Sequence, residues 1–250
     1  MFKIISTVAA ALIGLLANAQ VNETRTVSPF NKLEITDGVE VIYTQEDIFS
    51  VKAEASDTLG ISTLLTESKN QTLTISCNGN GRETVKVYVS APQLASVKAS
   101  RNAAFTTTGI KSGQFALSLA SGASFKGNVH ANQTEIKTKS GAVLNLRLEA
   151  GSLEARFLNG SKINLSGTAE KAEVRSSGNT LCLARNFKSG KQIVKASGSA
   201  SVEICAVNEL DVEVTDQASV RYFGLPQKTV INPEAVAQVI HDTGSAVATE

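Results

Sequence analysis

Apolar and polar residues alternate along most of this chain in short runs, and a small-residue turn separates one run from the next. Counted from the glycine of such a turn, apolar side chains fall three and five positions before it and three and five after it. Leu117 and Leu119 precede Gly122 and Phe125 follows it; Ala155 and Phe157 precede Gly160, with Ile163 and Leu165 after it. Val212 and Val214 stand in the same way before Gln217, with Val220 and Tyr222 beyond. Period-two alternation on both sides of a turn signal predicts two half-buried strands joined by a corner. The turn returns about every 19 residues, at Gly122, Gly141, Gly160, Gly178 and Gly198, each preceded by serine or asparagine. Arg101 with Asn102 and Asp216 with Gln217 are weaker copies in which the glycine is replaced. Such a period is one supersecondary unit copied and stacked.

Glycine at the corner supplies a positive φ without a Cβ penalty, and asparagine is the usual substitute. A third stretch, such as Lys126 to Val129 or Ser166 to Glu170, must bring the chain back. Two folds accommodate the unit, a stacked coil and an antiparallel meander. Hairpins would prefer Asn-Gly or Asp-Gly loops, whereas only stacked coils need the same corner each time. The expected fold is therefore all-β, a right-handed parallel β-helix (β-solenoid) with about 19 residues per coil, right-handed because parallel crossovers nearly always are. The same offsets extend the repeat to Gly38, flanked by Leu33, Ile35, Val41 and Tyr43, and to Gly244, preceded by Val239 and His241. Between Gln45 and Val89 the rhythm loosens into a strand, a short amphipathic segment around Leu59 to Leu65, and a strand from Leu73 to Ser76. This is expected to cap the first coil, since an open solenoid end exposes core side chains and strand edges.

The first residues carry Lys3, an apolar run from Ile4 to Leu16, and Ala17, Asn18, Ala19 as a small-residue cleavage site, the pattern of a secretory signal peptide. The domain reading is a signal peptide over 1–19 and a single solenoid domain over 20–250, irregular to about 90 and regular beyond. No second apolar run is long enough to span a bilayer, so an extracytoplasmic location is expected: periplasm, cell surface or medium. A net charge of +1 over 250 residues argues against nucleic-acid binding. Tryptophan is absent and aromatics make up 5%, poor material for stacking on sugars. Cys77, Cys182 and Cys205 are odd in number; a bridge between Cys182 and Cys205 is left open, with at least one thiol free. His130 and His241, the only histidines, lack ligand spacing to any cysteine, so no metal or cofactor is expected.

Stacking turns the outward positions before each corner into columns. Glu135, Glu154 and Glu173 share one outward position, with Asp211 two coils later; Lys137, Arg156, Arg175 and Lys195 occupy the next. Two readings remain side by side: a solvated face laced with weak ion pairs, or a docking strip whose regular spacing gives multivalency toward a charged glycan or protein partner. Asp211, Glu213 and Asp216 are the nearest thing to a clustered carboxylate site, against a plain polar face. His241 falls at an inward offset and reads as a satisfied terminal-coil residue; Asp37 and Asp242 read as turn residues.

The segments SPFNKLEITDGVEVIYTQ and SAPQLASVKAS, the recurrent SGAS-like corners and the closing VRYFGLP together resemble the head GIN domain family of putative auto-transporter adhesins, secreted or surface β-helix proteins mainly of Bacteroidota. The resemblance runs from about Ser28 to Val247. It implies an adhesin-like, non-catalytic binding module of the cell envelope and carries no catalytic residues across; no membrane barrel accompanies it in this chain. The alternatives are a carbohydrate-active β-helix enzyme, by analogy of fold alone, and an envelope scaffold that self-associates through a solenoid end.

Overall fold

The computed structural model describes residues 21–78, 85–232, 234 and 238–243. The signal-peptide residues 1–19 and the corner expected at Gly244 lie outside these. The first part of the chain holds short strands: β1 (Val21–Arg25), β2 (Lys32–Ile35), β3 (Glu40–Gln45), β4 (Ser50–Ala55), a helix α1 (Thr58–Thr63), β5 (Leu64–Lys69), β6 (Thr72–Cys77), β7 (Lys86–Ala91), β8 (Ser96–Ala99) and β9 (Ala104–Thr107). Long strands follow, one per coil: β10 (Ile110–Ala120), β11 (Ser124–Lys139), β12 (Val143–Leu158), β13 (Lys162–Ser177), β14 (Leu181–Ala196) and β15 (Ser201–Val214). Short strands β16 (Ser219–Phe223), β17 (Lys228–Ile231) and β18 (Val239–His241) close the described chain.

From β10 to β16 each strand pairs in parallel with the next, and the partner of a residue is its equivalent one repeat later; β17 pairs with β15 and β18 with β16. The molecule is a β-solenoid of about seven turns. The alternation read from the sequence becomes columns inside it. Phe105, Phe125, Leu144, Ile163, Cys182, Val202 and Val220 are successive register partners and all are buried. Phe105 and Phe125 stack with ring centroids 5.2 Å apart. Each such side chain contributes about 1.5–3 kcal/mol by leaving water, and parallel register carries the same apolar type from coil to coil.

As far as Gly160 the corners hold two left-handed residues where the sequence suggested one, whereas at Gly178 and Gly198 the glycine alone is left-handed. Ser121 and Gly122 have φ of 52° and 76°, Ser140 and Gly141 have 56° and 74°, and Asn159 and Gly160 have 50° and 79°. Arg101 and Asn102 adopt the same pair at 51° and 61°. At the last corner Asp216 alone is left-handed, at 58°, so Gln217 no longer needs to be glycine. The corners bond to each other along the axis: Gly38 N donates to Arg101 O at 2.9 Å, Asn102 N to Ser121 O at 3.0 Å and Gly122 N to Ser140 O at 3.0 Å. One corner class therefore continues the ladder across the turn.

A second corner interrupts each long strand. In β12 the buried positions Leu144, Leu146 and Leu148 give way to half-buried Ala150, Gly151 and Ser152, and burial resumes at Leu153 with the phase shifted. The register steps over this point on every coil, passing Gly113, Asn132, Gly151, Glu170 and Gly190. The backbones approach closely there: a Cβ on Gly151 would lie 2.8 Å from Asn132 O, and one on Gly190 would lie 2.8 Å from Glu170 O.

The N-terminal cap is threaded out of chain order. Strands β2 and β3 pair in parallel with β8 and β9 on one side and with β6 and β7 on the other. The first coil is thus held between two later segments, and β6 with β7 forms the outer layer. Antiparallel strands then cover the end, β5 on β6, β4 on β7 and β1 on β4. Helix α1 starts at Asp57, whose side chain accepts from Gly60 N at 2.9 Å, an N-cap bond. Tyr43 closes the junction by donating its buried hydroxyl to Ala91 O at 2.9 Å.

The structure answers a question the sequence left open and changes one expectation. All three cysteines are free, because a bulge after Ala184 sets Cys205 opposite Lys188, while Cys182 faces Val202. His241 is exposed rather than inward. Among the described residues strand β18 is in register with β16 and no further coil covers the imidazole; it stacks on Tyr222 at 4.5 Å and contacts Gly224 O through Nε2 at 2.9 Å.

Candidate functional site

The segment between the second corner and the Ser-Gly corner presents the face on which the charged columns lie. Glu135, Glu154 and Glu173 are register partners on successive coils; Ile193 continues the column and Asp211 follows it. Two residues along each strand, Lys137, Arg156, Arg175 and Lys195 form the next column, which ends at Glu213. Alternation turns both sets outward because the residues between and beside them, such as Leu153, Ala155 and Phe157, are buried.

Where a coil carries both a glutamate and a cation of these columns, the ion pair runs along the strand rather than between the coils. Lys137 pairs with Glu135, Arg156 with Glu154 at 2.6 Å, and Arg175 with Glu173. Where Ile193 interrupts the acidic column, Lys195 has no carboxylate two residues before it and reaches instead to Glu213 on the following coil. Lys98 does the same at the other end: Ser96 stands two residues before it, and it pairs across coils with Glu34 at 2.7 Å. These pairs are solvent-exposed, so each contributes about 0–1 kcal/mol, and they position side chains more than they hold the fold.

A groove of about 1110 Å³ runs along this face over six coils, from Ser96 and Lys98 to Lys191 and Ile193. Its far wall is a column the sequence reading missed: Gln114, Gln133, Ser152, Lys171 and Lys191. Counting from the second corner, at Gly113, Gly151 and Gly190, would have found it. The acidic column therefore lies between a basic column and one that is uncharged at Gln114, Gln133 and Ser152 and basic at Lys171 and Lys191. Six basic side chains (Lys32, Lys98, Lys137, Arg156, Lys171 and Lys191) line the groove against three carboxylates, those of Glu135, Glu154 and Glu173.

The carboxylates considered for acid/base work are not gathered into a site. Asp211 continues the acidic column, Glu213 is bound to Lys195, and Asp216 accepts from the corner N–H of Gly198 at 2.8 Å. The hydrogen bond from Lys195, with its charge, holds the Glu213 carboxyl below the usual range, the opposite of what a general acid requires. Among the described residues no three His, Cys, Asp or Glu side chains converge as metal ligands, and no helix is long and apolar enough to cross a membrane.

Residues 29–226 match the family model described as "Putative auto-transporter adhesin, head GIN domain". No curated protein matches the chain. Its fold is shared with crystal structures of two proteins described as putative adhesins. The one from Parabacteroides merdae is 20% identical, with a TM-score of 0.76 over 89% of this chain and 93% of that one. The other, from Parabacteroides distasonis, is 17% identical, with a TM-score of 0.78 over 90% and 97%. A further P. distasonis structure, described as a putative lipid binding protein, is 14% identical, with a TM-score of 0.75 over 89% and 94%.

Proposed function

The chain belongs to the head GIN domain family of putative auto-transporter adhesins, and on that premise we propose that it is an extracytoplasmic, non-catalytic binding module whose charged face docks a charged glycan or protein partner. The single observation that carries this reading is the groove. It offers the same cationic group on coil after coil, at the roughly 4.8 Å spacing of paired strands, with basic side chains outnumbering carboxylates two to one. An extended anionic partner lying along the axis meets several equivalent contacts at once, and weak contacts joined in this way add through effective concentration.

Lys137 and Arg156 are paired with exposed carboxylates on their own strands, so a partner exchanges one exposed ion pair for another at small cost. The leader-like residues 1–19 and the adhesin family support placement outside the cytoplasm. The test is cell fractionation with surface proteolysis, followed by an array of glycans and matrix proteins probed with the purified chain. Surface material that binds anionic probes is the expected result. Strictly periplasmic protein without any array signal would overturn the reading.

A further inference from the structure

A second concave region lies on a different face, on the stretch of coil that follows the Ser-Gly corner. It is a hollow of about 530 Å³ whose wall includes Lys111, Asn128, His130, Arg147 and Glu149. A neighbouring hollow of about 330 Å³, with Lys126, Asn145 and Asn164 on its walls, shares Asn128 and Arg147 with the first. The Arg147 side chain therefore stands between two depressions that together form one groove.

The rim is fixed in advance. The Gln45 amide donates to Lys111 O at 3.1 Å and to Pro92 O at 2.8 Å, and accepts from Lys111 N at 2.7 Å. Asn128 Nδ2 donates to Thr108 O at 2.8 Å. Two side-chain amides thus hold the 108–111 segment at both ends. Gly127 makes this approach possible, since a Cβ there would lie 2.6 Å from Thr107 O.

The charges of this groove differ from those of the columns. Its carboxylate, Glu149, is engaged by His130 at 3.3 Å across adjacent coils. Arg147 and Lys111 form no ion pair among the described residues. On the other face Lys137, Arg156 and Arg175 each have a carboxylate two residues away; Arg147 has Asn145 and Glu149 at those positions, and Glu149 turns to His130. An unpaired guanidinium takes a carboxylate in a two-point fork. Beside it, Asn128, Asn145, Asn164 and Ser166 offer amides and a hydroxyl on both sides, the donors and acceptors that sugar hydroxyls need.

We propose that this groove is a binding site for an acidic oligosaccharide of the uronic-acid class, with one sugar carboxylate held by Arg147 and Lys111 and the flanking hydroxyls by the asparagines. The site does not rest on the charged columns and stands or falls without them.

Calorimetric titration of the full chain with a short oligogalacturonate, and with the same chain after carboxyl reduction, tests it. The acidic chain binds, and the reduced chain binds about tenfold or more weakly, the loss of one bidentate ion pair. Arg147→Ala brings the acidic chain to the level of the reduced one, and Arg147→Lys falls between because the fork is lost but the charge stays. The substitutions are at an exposed position, so circular dichroism remains that of the parent. The proposal is overturned if oligogalacturonate does not bind the parent, if reduced and acidic chains bind alike, or if Arg147→Ala binds as the parent does. Loss of binding in a variant carrying Lys137→Glu, Arg156→Glu and Arg175→Glu, with retention in Arg147→Ala, also overturns it and assigns the ligand to the other face.

Discussion

A Cβ built on Gly167 would lie 2.0 Å from the carbonyl oxygen of Leu148, its register partner on the preceding coil. Gly167 also has a φ of 110°, whereas Gly141, at a corner with φ of 74°, faces open space. The two glycines thus serve different purposes, one allowing close contact between coils and the other only a turn.

Gly167→Ala accordingly combines backbone strain with a collision against main chain that cannot rotate away, and a loss of about 2–4 kcal/mol is expected. Gly141→Ala carries the left-handed penalty alone, about 1 kcal/mol. Urea unfolding of the two variants checks the difference; equal losses would mean that the coils can separate locally at little cost.

Tyr43 and Cys182 set the alkaline limit. Burial pushes the Tyr43 hydroxyl up from 10.0 to about 12, and burial, with the Glu203 charge adding to it, pushes the Cys182 thiol up from 9.0 to about 12. The unfolded chain then holds fewer protons than the folded one between these values, so stability is fully present below pH 9.0 and falls as pH rises toward 12. Tyr43→Phe is expected to cost about 1 kcal/mol at neutral pH, because Ala91 O loses its donor, and to flatten the decline above pH 10.0. Denaturation midpoints measured across that range test both effects.

Thiol labelling tests the register at the bulge. Cys77 is half-buried beside Thr63, while Cys182 and Cys205 are buried. The native protein is expected to react first at Cys77, and mild oxidation should leave Cys182 and Cys205 unlinked. Peptide mapping that finds a bridge between them would place the coils differently.

Lys195→Ala leaves Glu213 without its donor. The Glu213 carboxyl, now held below its usual range, should return toward it in a carboxyl-observed NMR titration. A depressed folded value stabilises above the ordinary carboxylate range and is lost as pH falls, so the variant should also be less sensitive to acid than the parent.

Much of this was visible in the chain. The distance from Gly122 to Gly141 to Gly160 set the period, and outward positions counted from it put Glu135 over Glu154 and Lys137 over Arg156, because parallel register maps sequence spacing directly onto stacking. The second corner was not visible, since its column alternates Gly151 with Asn132 and Glu170 and shows no single residue type. Nor was the threading of the cap: β2 pairs with β8, across more than fifty residues of intervening chain, and local pattern does not encode which coil is the neighbour. The Arg147 groove was overlooked because outward columns were counted only before the corner, although the same count after it places Asn128, Arg147 and Ser166 together.

The central claim is that the charged face, and not the corners, performs the binding. Binding of the purified chain to cells or matrix that retain it, compared with a variant carrying Lys137→Glu, Arg156→Glu and Arg175→Glu, tests this most directly. The account predicts a folded variant with unchanged circular dichroism whose binding is lost, and parent binding that weakens as salt is raised. Unchanged binding by the folded triple variant would contradict it.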